Sequence, residues 1–258
     1  MNTPKPLTSA HAPHVPLTDY YPSEPDRQAF LRKIFDDTAA DYDRIEAMLA
    51  WGTGSRYRRQ ALVRGGLKPG MKVLDVGVGT GLVAAQACVL TGDAALVTGV
   101  DPSPGMMAAS KLPKTMLLLE GRAESLPFPD NHFDFLSMGY ALRHISDLGA
   151  AFAEFERVLK PGGRLCILEI TQARSRLGQW LLKNYMRGVI PLLTRFVSGQ
   201  KNTATIWRYY WDTIEACVPP EQVMGALHDA GLAQVERHVD VGIFSEYQAV
   251  KSGPLQPQ

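Results

Sequence analysis

Between Val73 and Ile170 short apolar segments alternate with helical patterns, and this alternation restricts the chain to a small set of folds. Residues 73–76, 95–100, 116–119, 133–138 and 165–170 are nearly continuous in apolar side chains. Helical spacing fits 82–90, 104–110 and 148–159, the last with Phe152, Phe155, Val158 and Leu159 on one side. A strand that is apolar throughout, rather than alternating, is buried on both faces, as strands of a parallel sheet are beneath flanking helices. Right-handed crossovers then predict an α/β fold: a doubly wound, mostly parallel sheet with helices on both faces and a ligand site at the carboxyl ends of the strands. Residues 235–241 and 245–251 read as two closing strands, an antiparallel hairpin at the sheet edge, for seven strands in all.

Two regions depart from the alternation. Residues 1–25 read as a flexible arm, because Pro4, Pro6, Pro13, Pro16, Pro22 and Pro25 prevent helix. The remainder, 26–258, reads as one domain. Within it, 27–50 carries Phe30, Ile34, Ala39, Tyr42, Ile45 and Leu49 at helical spacing, opposite a polar face that includes Asp36, Asp43 and Glu46. Gly52 and Gly54 break this helix and 55–63 resumes it. Residues 172–218 hold Trp180, Leu181, Tyr185, Ile190 and Phe196 among Lys183, Arg187 and Arg195, charges that argue against a membrane span. Residues 26–65 and 172–218 together predict a helical cap over the ligand site.

Charge and cysteine usage exclude several partners. Basic side chains number 27 and acidic ones 26, a net charge of +1, which lacks the basic footprint of nucleic-acid binding. A small-molecule substrate is the expectation. Cys88, Cys166 and Cys217 lie far apart with no C-x-x-C pair, so neither a fully paired disulfide framework nor a zinc site is expected, and the six histidines show no metal-ligand spacing. No uncharged apolar run reaches the roughly 18 residues of a span. Residues 1–25 also lack a signal-type apolar core, which predicts a soluble, cytoplasmic protein.

The segment Asp75-Val76-Gly77-Val78-Gly79-Thr80-Gly81 leaves the first strand and enters a helix. Glycines there let the backbone turn sharply and approach a ligand, and amides at the helix start favour an anion or carboxylate. A nicotinamide fingerprint needs Gly-x-Gly-x-x-Gly, but the last position counted from Gly77 is Leu82, which weakens a dehydrogenase reading. Asp101 ends the second strand. A carboxylate there either accepts hydrogen bonds from the two hydroxyls of a ribose or caps the next helix.

The glycine turn and Gly99–Met107 resemble class I S-adenosylmethionine-dependent methyltransferases. Gly121-Arg122-Ala123-Glu124-Ser125-Leu126-Pro127-Phe128-Pro129-Asp130-Asn131, Ala141-Leu142-Arg143-His144 and Arg157-Val158-Leu159-Lys160-Pro161-Gly162-Gly163-Arg164 look more narrowly like the ubiquinone/menaquinone C-methyltransferases. The resemblance spans roughly residues 30–250 and implies a Rossmann-like fold with S-adenosyl-L-methionine as cofactor. It implies that Asp75, Gly77, Gly79, Thr80 and Gly81 surround the methionine portion and that Asp101 holds the ribose. Arg122 and Ala123 would lie beside the adenine, Met106 would pack on the purine, and Gly139 would sit near the methyl-bearing end. Three positions depart from the family pattern: Arg122 replaces an acidic or amide side chain, Gly139 a hydroxyl-bearing one, and His144 an asparagine.

The methyl group on a sulfonium is electrophilic without enzymic help, so such an enzyme aligns the acceptor and, for carbon or oxygen nucleophiles, removes a proton. Tyr140, Arg143 and His144 at the end of the fourth strand are the candidates. Arg143 is permanently cationic and suits a developing phenolate. His144 serves either as a base or as part of a helix start. Glu169 either faces the site or makes a structural hydrogen bond. The aromatic run Trp207-Arg208-Tyr209-Tyr210-Trp211 either lines a pocket or packs the cap on the sheet. The expected reaction is methylation of a ring carbon of a quinone-like or phenolic compound. Methylation at oxygen or nitrogen, and a cofactor-binding module without transfer, are the alternatives. An apolar or prenylated acceptor and a peripheral membrane contact are both compatible with an apolar cap.

Overall fold

The computed structural model describes residues 12–49, 53–173, 175–192 and 203–253. Its centre is the sheet the sequence predicts. Strands β1 (Val73–Val76), β2 (Val97–Asp101), β3 (Leu117–Glu120), β4 (Phe133–Gly139) and β5 (Leu159–Ile170) are parallel, and β6 (Leu232–Asp240) and β7 (Phe244–Lys251) close it in the order β3-β2-β1-β4-β5-β7-β6. The order reverses at β1, which pairs with β2 on one side and β4 on the other, and that is where a crevice opens above a doubly wound sheet. The closing hairpin is antiparallel, as expected, and it turns back so that β7 lies inside, against β5, and β6 forms the outer edge.

Each strand–helix unit has a local cause. All four residues of β1 are buried because helices cover both of its faces. Helix α1 (Glu24–Leu49) and helix α2 (Gly54–Arg64) precede the sheet, and α3 (Leu82–Thr91) follows the glycine turn. Helix α4 (Pro104–Ala108) starts where Ser103 Oγ accepts the Met106 amide and proline occupies the first turn. Helix α5 (Leu148–Val158) is capped by Asp147, whose Oδ1 accepts the Ala150 amide, and it buries Phe152 and Phe155 in the main core. The segment Pro161-Gly162-Gly163 lies inside β5, although a proline followed by two glycines ordinarily interrupts a strand. Phe133 pairs with Leu159 and Phe135 with Arg164, so the residues between bulge out and the strand continues.

The cap is formed by α6 (Arg176–Asn184), a π-helical turn at Tyr185–Val189, α7 (Thr203–Ala216) and α1, while α8 (Pro220–Asp229) belongs to the sheet layers. Ile206, Tyr209, Tyr210 and Trp211 of α7 pack with Met186, Ile190 and Ile34 into a core of their own.

The described part of the N-terminal arm is docked rather than free. Tyr21 is 2% exposed, its hydroxyl accepts the Leu17 amide, and the Val218 amide donates to Pro13 O at 2.7 Å. Proline prevents helix but leaves an extended chain able to bury its tyrosines, which corrects the flexible-arm expectation for 12–23. Residues 1–11 lie outside the described residues.

Candidate functional site

At the carboxyl end of β1 the chain must leave the sheet, avoid β2, and enter α3 within a few residues. Gly77, at φ +69°, makes the first of these bends, and a Cβ there would lie 2.5 Å from that of Ala141. The Gly77 and Val78 amides bond Val100 O, and the Gly79 amide donates to Asp101 Oδ2 at 2.7 Å. Asp101 Oδ1 accepts the Ser103 amide at 2.8 Å. Two bonds leave about half of the roughly four acceptor positions of a carboxylate available. Burial pushes the Asp101 carboxyl up to about 6, against which the Ser103 and Gly79 amides pull it down.

Asp75 lies deeper, with Ser137 Oγ donating to its Oδ1 at 2.6 Å, and burial raises it to about 7. Two buried acids therefore face the crevice, and a cationic ligand would favour their charged forms.

Helix α1 closes this crevice from above. Asp36 Oδ1 accepts Ser103 Oγ and, at 2.9 Å, the Gly105 amide. Asp43 accepts the Thr80 hydroxyl, and Glu46 pairs with Arg58 of α2. Asp36 and Asp43, which helical spacing assigns to a solvent face, fasten the helix to the two loops that follow β2 and β1, and Glu46 fastens it to α2.

Beneath α1 is a cavity of 740 Å³. It receives Asp75, Gly77, Gly79, Thr80, Asp101, Met106, Arg122, Ala123, Gly139, Tyr140 and His144, so most of the sequence-derived candidates converge on one space. Gly81 and Arg143 do not line it. Gly81, at φ +93°, caps α3 and faces a separate groove beside Leu112. Arg143 is turned away: its Nε donates to Glu169 Oε1 at 2.9 Å, and its Nη1 donates to Tyr210 O and Thr213 Oγ1. Arg122 donates to Ser146 Oγ and pairs with Glu124 at the cavity rim.

The cavity continues from the glycine turn into an aromatic chamber. Tyr140 holds a left-handed backbone, φ +61°, fixed by its amide donating to Leu168 O at 2.7 Å, and the Arg58 guanidinium lies 5.6 Å from its ring centroid. Burial raises its phenol above the ordinary range. His144 stands among Phe35, Tyr209 and Tyr210, with ring centroids 5.2, 5.7 and 5.7 Å away. The residue is half-buried, but both ring nitrogens are buried and neither has a hydrogen-bond partner. Burial first, then the positive charges of Arg143 and Arg27, hold His144 well below its ordinary value, so it is neutral at physiological pH. Such an imidazole keeps one acceptor nitrogen and one N–H for whatever enters.

Phe35, Tyr42, Arg58 and Tyr210 also line the cavity and were not singled out as site residues from sequence, except that Tyr210 belongs to the aromatic run of the cap. Among the described residues no group of acidic, histidine and cysteine side chains is placed to hold a metal ion.

The ubiE/COQ5 methyltransferase family model matches residues 24–251. The ubiquinone/menaquinone biosynthesis C-methyltransferase UbiE of Shewanella woodyi is 31% identical over 225 residues, which cover 84% of this chain and 88% of that protein. A demethylmenaquinone methyltransferase of Symbiobacterium thermophilum is also 31% identical, over 83% and 89% of the two chains. In fold the chain is similar to an S-adenosylmethionine-dependent methyltransferase, possible histamine N-methyltransferase, of Thermotoga maritima: TM-score 0.60, 22% identity, 86% and 100% covered. It is equally similar to the [4+2]-cyclase SpnF: TM-score 0.60, 19% identity, 88% and 96% covered. The architecture alone therefore does not select the reaction.

Proposed function

This chain belongs to the ubiE/COQ5 methyltransferase family, and from that premise we propose that it methylates a ring carbon of a quinol-like or phenolic acceptor. It is an enzyme, an S-adenosylmethionine-dependent methyltransferase. The finer reading rests on one observation: the crevice of the glycine turn and Asp101 opens directly into an aromatic chamber where His144 has two unpartnered ring nitrogens. The residues fit the cofactor, since Asp101 keeps acceptor capacity for ribose hydroxyls and the buried acids suit a positively charged sulfonium and ammonium. Asp101 would hold the sugar, Met106 and Ala123 the base, and Asp75, Gly77, Gly79 and Thr80 the amino-acid end, with Gly139 leaving room between cofactor and acceptor. When bound, the cofactor supplies an electrophilic methyl group.

The chain's own residues then prepare the nucleophile. Phe35, Tyr42 and Tyr210 offer faces for an aromatic ring and exclude water from it. Neutral His144 accepts a hydrogen bond from a ring hydroxyl, which raises electron density on the ring carbons. Arg143 and Arg27 lie close enough to depress the His144 pKa, and the same field stabilises negative charge developing on that hydroxyl oxygen. Arg143 is thus a positioning residue that acts through His144 and the local field, not by contact with the substrate.

The deciding experiment incubates the enzyme with methyl-labelled cofactor and reduced demethylated quinols, then locates the label by carbon-13 NMR. A new carbon–methyl bond on the ring supports the reading. Label on oxygen or nitrogen assigns a different acceptor class, and no transfer across a broad acceptor panel favours a binding module.

A further inference from the structure

The helix that begins at Arg176 is apolar on two sides. Leu182, Met186 and Ile190, four residues apart, face the cap core. Leu177, Trp180 and Leu181, at the i, i+3, i+4 spacing of a second stripe, are 67%, 61% and 53% exposed. The π-helical turn at Tyr185–Val189, closed by the Ile190 amide on Tyr185 O, carries the second stripe on to Val189 and Leu192, which are also exposed. Folding this domain does not explain the outer stripe, because an ordinary amphipathic helix presents polar side chains there.

The charge around the stripe identifies its partner. From residue 171 to residue 202 the sequence holds six basic side chains and no acidic one, in a chain whose net charge is +1. Arg176, Lys183 and Arg187 lie on the described part of this helix. Glu215 at 2.9 Å and Asp212 at 3.5 Å reach Lys183 and Arg187 from α7, and these are the acids that face the helix from the element packed against it. Arg176 and Arg208 of α7 are exposed as well. A second copy of the same face would bring like charges together. A protruding Trp and two leucines edged by cations match the interface of an anionic bilayer, where the apolar stripe enters the headgroup boundary and the cations meet lipid phosphates.

We propose that the outer face of α6 and the following turn is a docking surface for anionic membrane. It stands apart from the identity of the methyl acceptor. No helix among the described residues is long and apolar enough to cross a bilayer, so the contact is interfacial. The same cap contributes Tyr210 to the cavity, so docking brings the chamber close to the lipid phase.

The test is co-sedimentation of the full chain with phosphatidylcholine vesicles and with equimolar phosphatidylcholine–phosphatidylglycerol vesicles, at low and high salt. Binding is expected to the anionic vesicles, to weaken with salt, and to fall at least about tenfold in the Leu177→Glu/Trp180→Glu variant. That variant should bind S-adenosylhomocysteine with unchanged affinity, which shows that the domain is intact and separates this result from the methyltransferase reading. Absence of vesicle binding, or equal binding by the variant, overturns the proposal. So does self-association in analytical ultracentrifugation that the variant abolishes, since the face would then meet a second copy.

Discussion

Arg143 and Glu169 form an ion pair 2.9 Å long whose side chains are 3% and 1% exposed. The pair joins the segment after β4 to the end of β5, and the Tyr210 carbonyl and Thr213 hydroxyl complete the guanidinium's partners from α7. Removing one member leaves a buried charge without its partner. Arg143→Ala should therefore lower the stability of the fold by about 3–5 kcal/mol. Urea unfolding followed by circular dichroism checks this, and an unchanged midpoint would show that Arg143 does not hold the cap to the sheet.

His144→Phe, which keeps the ring and removes both nitrogens, is expected to reduce turnover by about 10²-fold, the lower range for a group that assists proton movement. Cofactor affinity should be preserved, because His144 lies on the acceptor side of the cavity. The wild-type imidazole should titrate well below its ordinary value by NMR, since burial and the two neighbouring guanidinium groups oppose its charged form. Titration near its ordinary value would mean that water reaches the chamber.

The strands, the glycine turn and Asp101 were legible because each has a local signature. Short apolar runs between turns read as strands, though β3 lies at the sheet edge with Leu117 exposed and is not buried on both faces as its composition suggests. Glycines between a strand and a helix mark a bend that other residues adopt at a cost. The pairing of Arg143 was not legible. An arginine after a strand reads the same whether it faces a ligand or a carboxylate distant in sequence, and although a structural hydrogen bond was one of the two readings of Glu169, nothing in the sequence joined it to Arg143. Asp36 and Asp43 were hidden for a related reason: on a helical wheel they belong to the polar face, and only the tertiary fold brings Ser103, Gly105 and Thr80 to them. Tyr21 and His14 were obscured by prolines, which report on backbone geometry and not on burial. His14 bonds Val15 O through Nδ1 and contacts Arg27 through Nε2.

Asp101→Ala should weaken cofactor binding by about 2–3 kcal/mol, the scale of lost charge-assisted hydrogen bonds. Isothermal titration calorimetry with S-adenosylhomocysteine measures it directly. An unchanged affinity would remove Asp101 from the ribose.

The two buried acids predict how binding depends on pH. Burial holds Asp75 at about 7 and Asp101 at about 6 in the folded protein, against an unfolded value of 3.8. The folded state therefore binds these protons more tightly than the unfolded one. Their contribution to stability is fully present below 3.8 and is lost as pH rises through 6 to 7. A cationic ligand favours the ionised forms, so affinity for S-adenosylmethionine should fall as pH drops from 8 to 5, with Asp101→Asn flattening the lower part of that profile. A pH-independent affinity in the wild type would place neither acid against the cofactor.

Helix α1 lines the crevice, and Asp36 and Asp43 fasten it to the loops that follow β2 and β1, so opening of this helix is the expected route for a ligand. Each bond made in the closed state lowers the rate of opening more than that of closing. Asp36→Ala removes the acceptor of both the Ser103 hydroxyl and the Gly105 amide, a net loss of about 1–3 kcal/mol from the closed arrangement. Stopped-flow measurement should then show faster entry and faster release of S-adenosylhomocysteine, each by about tenfold. Unaltered rates of entry and release would show that α1 is not the gate.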